Sequence, residues 1–270
     1  MGSRILTDEE IAQFHKDGYV LVRSLFDARE MELLRGAREI DSAMKGNVHT
    51  VDDREGGRVK LALWNEAGGD IYGLFSRGHR IVDSVERLLG SEVYHWHSKM
   101  IQKEPYVGGA WTWHQDYGYW YYDGCLFPDM ASVMVAVDPA NKENGCLQVL
   151  KGSHRLGRID HNLGGNGEQT GANLEQVEAA KKVLELVYCE MEAGDTLFFH
   201  CNLLHRSDRN RSPNPRWALI SCYNAASNSP YKESRHAMYA PLEKVPDEAI
   251  KEFGLKLEEK SFYTGSRKAS

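Results

Sequence analysis

Up to about residue 90 the apolar positions recur every three or four residues; from Val93 onward they fall into short runs with the period of strands. Thr7-Asp8-Glu9-Glu10 has the form of a capping box and predicts a helix through about Asp17, with Ile11 and Phe14 on its apolar side. Gly18 ends that helix, and Tyr19-Val20-Leu21-Val22 predicts a short strand. Asp27 predicts the cap of a second helix, in which Met31, Leu33, Leu34, Ala37 and Ile40 fall at helical spacing. Residues 42–55 are polar and read as loop, 59–64 as a strand, and 81–89 as a helix closed by Gly90. Seven β-type runs follow, at 93–102, 110–114, 132–138, 146–150, 186–191, 196–200 and 217–223. Gly108-Gly109, Asp123-Gly124, Glu143-Asn144-Gly145, Gly152-Ser153 and Ala193-Gly194-Asp195 separate them as turns.

Helices first and many short strands after predict a mainly β fold, a sandwich or barrel with a helical flank. The expected division is a single domain over 1–270: flank at about 7–90, core at about 91–225, and a C-terminal extension at 226–270. Residues 157–180 interrupt the strands with a glycine-rich half (Gly164, Gly165, Gly167, Gly171) and then a helix at 174–182. An insertion of this kind is either an active-site lid or a solvated surface loop. After Pro246 the pattern predicts one short helix at 247–253 and a polar tail.

Composition narrows the function classes. The chain has 270 residues, 41% hydrophobic and 27% charged, close to ordinary globular usage. A net charge of −6 and the lack of any basic run argue against nucleic acid. No apolar run approaches the ~20 residues that span a bilayer, and the first residues lack the apolar core of a secretory signal. Five scattered cysteines without CxxC spacing suit buried thiols in a reducing cytoplasm. The expected partner is a small molecule; oligomeric state is not legible.

The chemistry centres on Trp113-His114-Gln115-Asp116-Tyr117. A histidine and a carboxylate two residues apart on an extended segment project to one side and can share a metal ion. His205, just past the apolar run Thr196-Leu197-Phe198-Phe199-His200, is the third ligand expected. Two histidines and one carboxylate on one face of an octahedral ion leave the remaining positions open, as in non-haem Fe(II) oxygenases. Arg216 follows eleven positions later. His95 and His97 could also share a face, but no carboxylate follows at a useful spacing, so they read as core or cavity residues. His200 reads as packing beside the site and His154 as holding a turn; His15, His49, His79, His161 and His236 have no supporting pattern. Seven aromatic residues lie between Trp111 and Tyr122, suited to filling the interior and holding an apolar or cationic substrate.

Leu6-Thr7-Asp8-Glu9 with Phe14, then Asp17-Gly18-Tyr19-Val20-Leu21-Val22, His114-Gln115-Asp116, Glu143-Asn144-Gly145-Cys146-Leu147, Gly152-Ser153-His154, Ala193-Gly194-Asp195, His205-Arg206-Ser207 and Arg216 occur in an order and spacing that resemble the phytanoyl-CoA dioxygenase family of Fe(II)/2-oxoglutarate oxygenases. A narrower likeness to ectoine hydroxylase lies in Trp120, Asp123-Gly124, Cys201-Asn202 and Ser207, with one residue fewer between His114 and Asp123. The resemblance implies a double-stranded β-helix (a cupin-like jelly-roll barrel), with iron on His114, Asp116 and His205. It also implies 2-oxoglutarate and O₂ as co-substrates, and Arg216 on the far carboxylate with Ser207 beside it. Lys99, Gln102 and Met134 would line the co-substrate pocket; Tyr117, Tyr119, Trp120 and Gln115 would lie nearest the substrate, Gln115 facing away from the metal. Related halogenases carry a small residue where Asp116 stands, so hydroxylation is the implied outcome. Two other classes use the same residues: a non-catalytic jelly-roll binding module, and a zinc hydrolase on the His₂Asp set.

Overall fold

A computed structural model describes residues 4–40, 48–53, 56–162 and 170–254. Helix α1 (Asp8–Asp17) begins at the capping box: the Thr7 hydroxyl accepts from Glu10 N–H and the Glu10 carboxylate accepts from Thr7 N–H. Gly18 ends it in the left-handed conformation and the chain turns into strand β1 (Tyr19–Val22). Asp27 and Glu30 form the same reciprocal cap at the start of α2 (Ala28–Ile40). The segment expected as loop instead contains strand β2 (Val48–Asp52), paired with β3 (Arg58–Trp64). Its polar residues face solvent at a sheet edge, so the strand carries too weak an alternation to read; 42–47, 54 and 55 lie outside the described residues. Helix Ile71–Arg77, capped by Asp70, was not legible, and it runs into helix His79–Leu89, which Gly90 closes.

The remaining strands are β4 (Val93–Lys103), β5 (Trp111–His114), β6 (Met130–Ala136), β7 (Leu147–Leu150), β8 (His161–Asn162), β9 (Gly171–Ala172), β10 (Leu186–Cys189), β11 (Thr196–His200), β12 (His205–Ser207) and β13 (Arg216–Ala225). One sheet has the order β1-β11-β6-β13-β4-β3-β2, and a second the order β10-β7-β12-β5. This is the jelly-roll architecture expected, as two antiparallel sheets that no strand pairing joins among the described residues. The N-terminal segment is not only a flank: β1 pairs with β11 and β3 with β4, so it completes the large sheet.

Strand β6 shows how the layers form. Ala131, Val133 and Val135 face a core shared with α1, α2 and the helices of 71–89, while Met130, Met134 and Ala136 face the second sheet. A third core, with Trp113, Leu150, Ile159, Val177 and Leu204, packs helix Leu174–Lys181 on the outer side of the smaller sheet. The insertion thus has a structured part, with Gly171 in β9; Gly164, Gly165 and Gly167 lie outside the described residues. Past Pro246, residues 249–254 are helical. The polar tail after them also lies outside the described residues.

The turn Ala193-Gly194-Asp195 closes the sheet at α2. Asp195 accepts from Ser24 N–H and Glu192 N–H, and Gly194 sits at φ +90° against the Phe26 carbonyl. A Cβ at 194 would run into that oxygen. Gly194→Ala is therefore expected to destabilise the fold by roughly 2 kcal/mol or more, from left-handed strain plus the clash. Urea unfolding checks this, and a change below about 0.5 kcal/mol would contradict the packing described.

Candidate metal centre

His114 ends β5 and His205 opens β12, and the two are direct partners across the antiparallel pair. Their rings stand 4.0 Å apart, centroid to centroid. Each donates Nδ1–H to a carbonyl two residues earlier, Thr112 at 2.8 Å and Leu203 at 2.9 Å, so both present a bare Nε2. Asp116 joins them by a different route from the one the spacing suggested. It lies beyond the strand end in helical conformation, at the N-terminus of the turn Tyr117–Trp120. The turn, anchored by Tyr117 N–H on Cys201 carbonyl, swings the carboxylate back over the two imidazoles.

Asp116 Oδ1 lies 3.9 Å from His114 Nε2 and 4.0 Å from His205 Nε2, and all three ligand atoms fall within 4.8 Å of one another. Bonds of about 2.1 Å from such a triangle converge on one ion. The other carboxylate oxygen, Oδ2, accepts from Ser132 Oγ at 2.7 Å, which fixes the plane of the group. Lys99 Nζ stands 3.6 Å from Oδ1. Burial opposes ionisation of Asp116, but the Lys99 ammonium and the Ser132 hydroxyl outweigh it and hold the carboxyl well below the usual range. Burial pushes both His114 and His205 down. The donor set is thus one carboxylate and two neutral imidazoles, ready for a divalent cation.

The three residues line a cavity of about 350 Å³ between the sheets. Arg216, at the start of β13, faces into it and is only 3% exposed. Its Nη2 is buried with no hydrogen-bond partner among the described residues, and burial pulls the guanidinium down to about 10. Ser207, Lys99 and Met134 line the same cavity. Gln102 does not. On β4 the residues facing inward are His97, Lys99, Ile101 and Lys103, so the period of two sends Gln102 to the opposite face. Lys103, missed in favour of Gln102, could have been found from that alternation.

Of the aromatic residues, Tyr119 and Trp120 line the cavity, with the Tyr119 ring 5.8 Å from His114 and its hydroxyl donating to Thr170 carbonyl. Tyr117 is buried elsewhere, its hydroxyl on Cys125 carbonyl. Gln115 faces away from the metal ligands, as expected, and does not line this cavity. Its amide donates to Gly157 and Asn202 carbonyls and accepts from Ile159 N–H, tying two loops behind the ligands. His161, which showed no pattern, accepts the Gln115 N–H and supports the same turn. His95 and His97 do not share a face: a bulge at Trp96 turns His97 into the cavity and leaves His95 on Asn65 carbonyl and Ser98. His236 also lines the cavity, stacked on His97 at 4.9 Å; it lies twenty residues past Arg216 with no local signal to mark it. His200 packs against Phe14 and His154.

The sequence model of the phytanoyl-CoA dioxygenase (PhyH) family matches residues 14–218. The chain belongs to that family. Among curated relatives, an L-proline trans-4-hydroxylase of Streptomyces griseoviridis is 29% identical over 180 residues, covering 62% of this chain and 67% of that protein. An ectoine dioxygenase of Sphingopyxis alaskensis is 27% identical over 236 residues, covering 83% and 77%. The crystal structure of EctD from S. alaskensis with bound Fe superposes with a TM-score of 0.75 at 24% identity, over 91% of this chain and 90% of that one. That family fold is the two-sheet jelly roll described above.

Two outcomes follow from the site. Ser132→Ala frees Asp116 Oδ2 and is expected to weaken metal binding by about tenfold or more, read by equilibrium dialysis of Fe(II) under nitrogen. An unchanged affinity would show that Ser132 does not orient the carboxylate. Burial also pushes His95 and His236 down to about 4. Unfolded rings take up protons below about 6.5 while these folded ones do not, so each costs about 1.4 kcal/mol of stability per pH unit as pH falls below that value. Urea unfolding at pH 7 and pH 5 measures this, and equal stabilities would contradict it.

Proposed function

We propose that His114, Asp116 and His205 hold Fe(II), and that Arg216 takes the distal carboxylate of 2-oxoglutarate, in a dioxygenase that hydroxylates a small molecule. The carrying observation is a single cavity that holds both a buried His/Asp/His donor set and a buried guanidinium with an unpartnered nitrogen. A buried cation without an anion is costly, and a carboxylate bound two-pronged to the guanidinium removes that cost. A zinc hydrolase on the same donors has no use for Arg216, and a non-catalytic module has no use for the prepared donor set.

Iron with 2-oxoglutarate and O₂ supplies the oxidation, in which the co-substrate becomes succinate and CO₂ as the substrate is hydroxylated. The chain supplies position and dryness. Ser132 and the carbonyls of Thr112 and Leu203 orient the ligands, and Lys99 balances the charge of Asp116. Met134, Ser207, Leu147 and Ile220 wall the co-substrate end. Tyr119, Trp120, His97 and His236 form the wall on the substrate side, with Tyr117 and Gln115 acting behind it. The relatives are named for L-proline and ectoine, and a cavity of about 350 Å³ suits a substrate of that size class beside 2-oxoglutarate. A reducing, cytoplasmic setting belongs to the same reading, supported by five cysteines that are all buried free thiols. No helix among the described residues is long and apolar enough to cross a membrane.

Anaerobic addition of Fe(II) and then 2-oxoglutarate is expected to give the weak visible charge-transfer band of the chelate, and candidate substrates are then screened for O₂-dependent succinate. His114→Ala or Asp116→Ala should lose iron. Arg216→Ala should keep iron and need at least about a hundredfold more 2-oxoglutarate. Substrate turnover with zinc in the absence of O₂ would sink the oxygenase reading.

A further inference from the structure

The wall on the substrate side is a stack of rings. His236 lies between Trp96 and His97, at 4.6 Å and 4.9 Å between centroids, and Trp120 stands edge-on to His97 at 5.6 Å. The nitrogens of His236 are turned toward the chain: Nδ1 is 3.3 Å from Asn65 Oδ1 and Nε2 is 3.5 Å from Asp123 Oδ2. Asn65 is itself fixed, its side-chain amide donating to the Arg235 carbonyl at 2.7 Å. Tyr119 spends its hydroxyl on the Thr170 carbonyl. His97 differs from both. It lines the cavity and is only 3% exposed, yet its ring makes no hydrogen bond among the described residues, and its Nδ1 is buried without a partner. A neutral imidazole in a dry wall keeps one N–H and one lone pair, and leaving both unused is costly.

The charges around His97 select what can meet it. Lys99, Lys103, Arg206, Arg216 and Arg235 line the cavity, against one carboxylate among the described residues, Asp116, which belongs to the metal ligands. Burial, and then the Lys99 ammonium, hold His97 well below its usual range; Asp116 pulls the other way and is outweighed. Arg235 acts in the same sense as Lys99 on His236. An ammonium brought to this wall would meet cations, whereas an anionic oxygen gains from them and accepts the N–H of the ring. Strand β3 sets Leu63 directly opposite Lys99 and Leu61 opposite Ile101, and both leucines line the cavity, so an aliphatic body has a surface to lie on. We propose that His97 determines specificity by donating its N–H to an anionic oxygen group of the substrate, which is therefore a small acid with an apolar body. This rests on the function proposed above and names the substrate class for it.

Three probes of one size carry the test: cyclopentanecarboxylate, cyclopentanecarboxamide and cyclopentylammonium. Each is titrated by calorimetry under nitrogen into protein already shown to hold Fe(II) and 2-oxoglutarate. The carboxylate is expected to bind at least about tenfold more tightly than the other two. His97→Phe keeps a ring in the stack and removes the N–H, with His97→Leu as the alternative should phenylalanine disturb folding. Either is expected to weaken the carboxylate by about tenfold or more, the amide less, and 2-oxoglutarate not at all. His97→Gln restores a donor and should recover part of the loss. Equal affinities for the three probes, tightest binding of the ammonium, or binding of none would overturn the proposal. So would equal weakening of carboxylate and amide in His97→Phe, or no weakening, which would leave recognition to Lys99 and Arg235. Failure of the unaltered protein to bind Fe(II) and 2-oxoglutarate would instead remove the function on which the proposal stands.

Discussion

The register between β5 and β12 is the constraint on which the rest depends. It sets His114 opposite His205, and a slip of one residue would carry one of the two imidazoles to the far side of the smaller sheet. Three features hold the register. Strand β7 pairs with the other edge of β12, with Val149 opposite His205. Leu204 N–H donates to Ser153 Oγ just before the strand. Gln115, one residue past the end of β5, is bonded to Asn202 and Gly157. The side chain between the two ligands therefore fixes the loops that aim them, and its contribution to the site is mechanical.

The electrostatics follow from how dry that place is. Burial keeps His114 and His205 neutral, while Lys99 and the Ser132 hydroxyl keep Asp116 ionised against the same burial. At Arg216 and Lys103 burial wins instead: Asp138 and Asp208 favour the charged forms but do not outweigh it. The cavity is thus unfavourable toward cations at one end and prepared for a cation at the other. Ligands of opposite sign, a divalent ion and a dicarboxylate, relieve both ends together. Such a site stabilises the fold when filled, since only the folded state offers it.

Much of this was legible in the sequence. The capping box at Thr7, the glycine stop at Gly18 and the alternating runs after Val93 carried the helices, the strands and the class of fold, because each is a local signal. His114, Asp116, His205 and Arg216 came from local motifs and their order. What was missed is nonlocal. Strand β2 exists through its pairing with β3, and its own polar residues do not announce it. The bulge at Trp96 reverses the faces of His95 and His97, and only the partner strand reveals it. His236 reaches the cavity from beyond the sheets, where no period applies. Asp116 reaches the imidazoles by a helical turn and not by the extended strand its spacing suggested.

Strand β4 orders the cavity like a ruler. Past the bulge, its inward residues are His97, Lys99, Ile101 and Lys103, each step of two advancing about 6.6 Å. Lys99 marks the metal, Lys103 and Arg216 the end proposed for the co-substrate, and His97, stacked on His236, the opposite end. The strand is interior to its sheet, paired to β13 along its length and to β3 over residues 98–102, which fixes these separations. The His97 end lies about 20 Å along the strand from Lys103, beyond any shared contact. On the proposed function, a change of side chain at 97 or 236 is therefore expected to alter which molecule is held over the metal without disturbing what Arg216 holds.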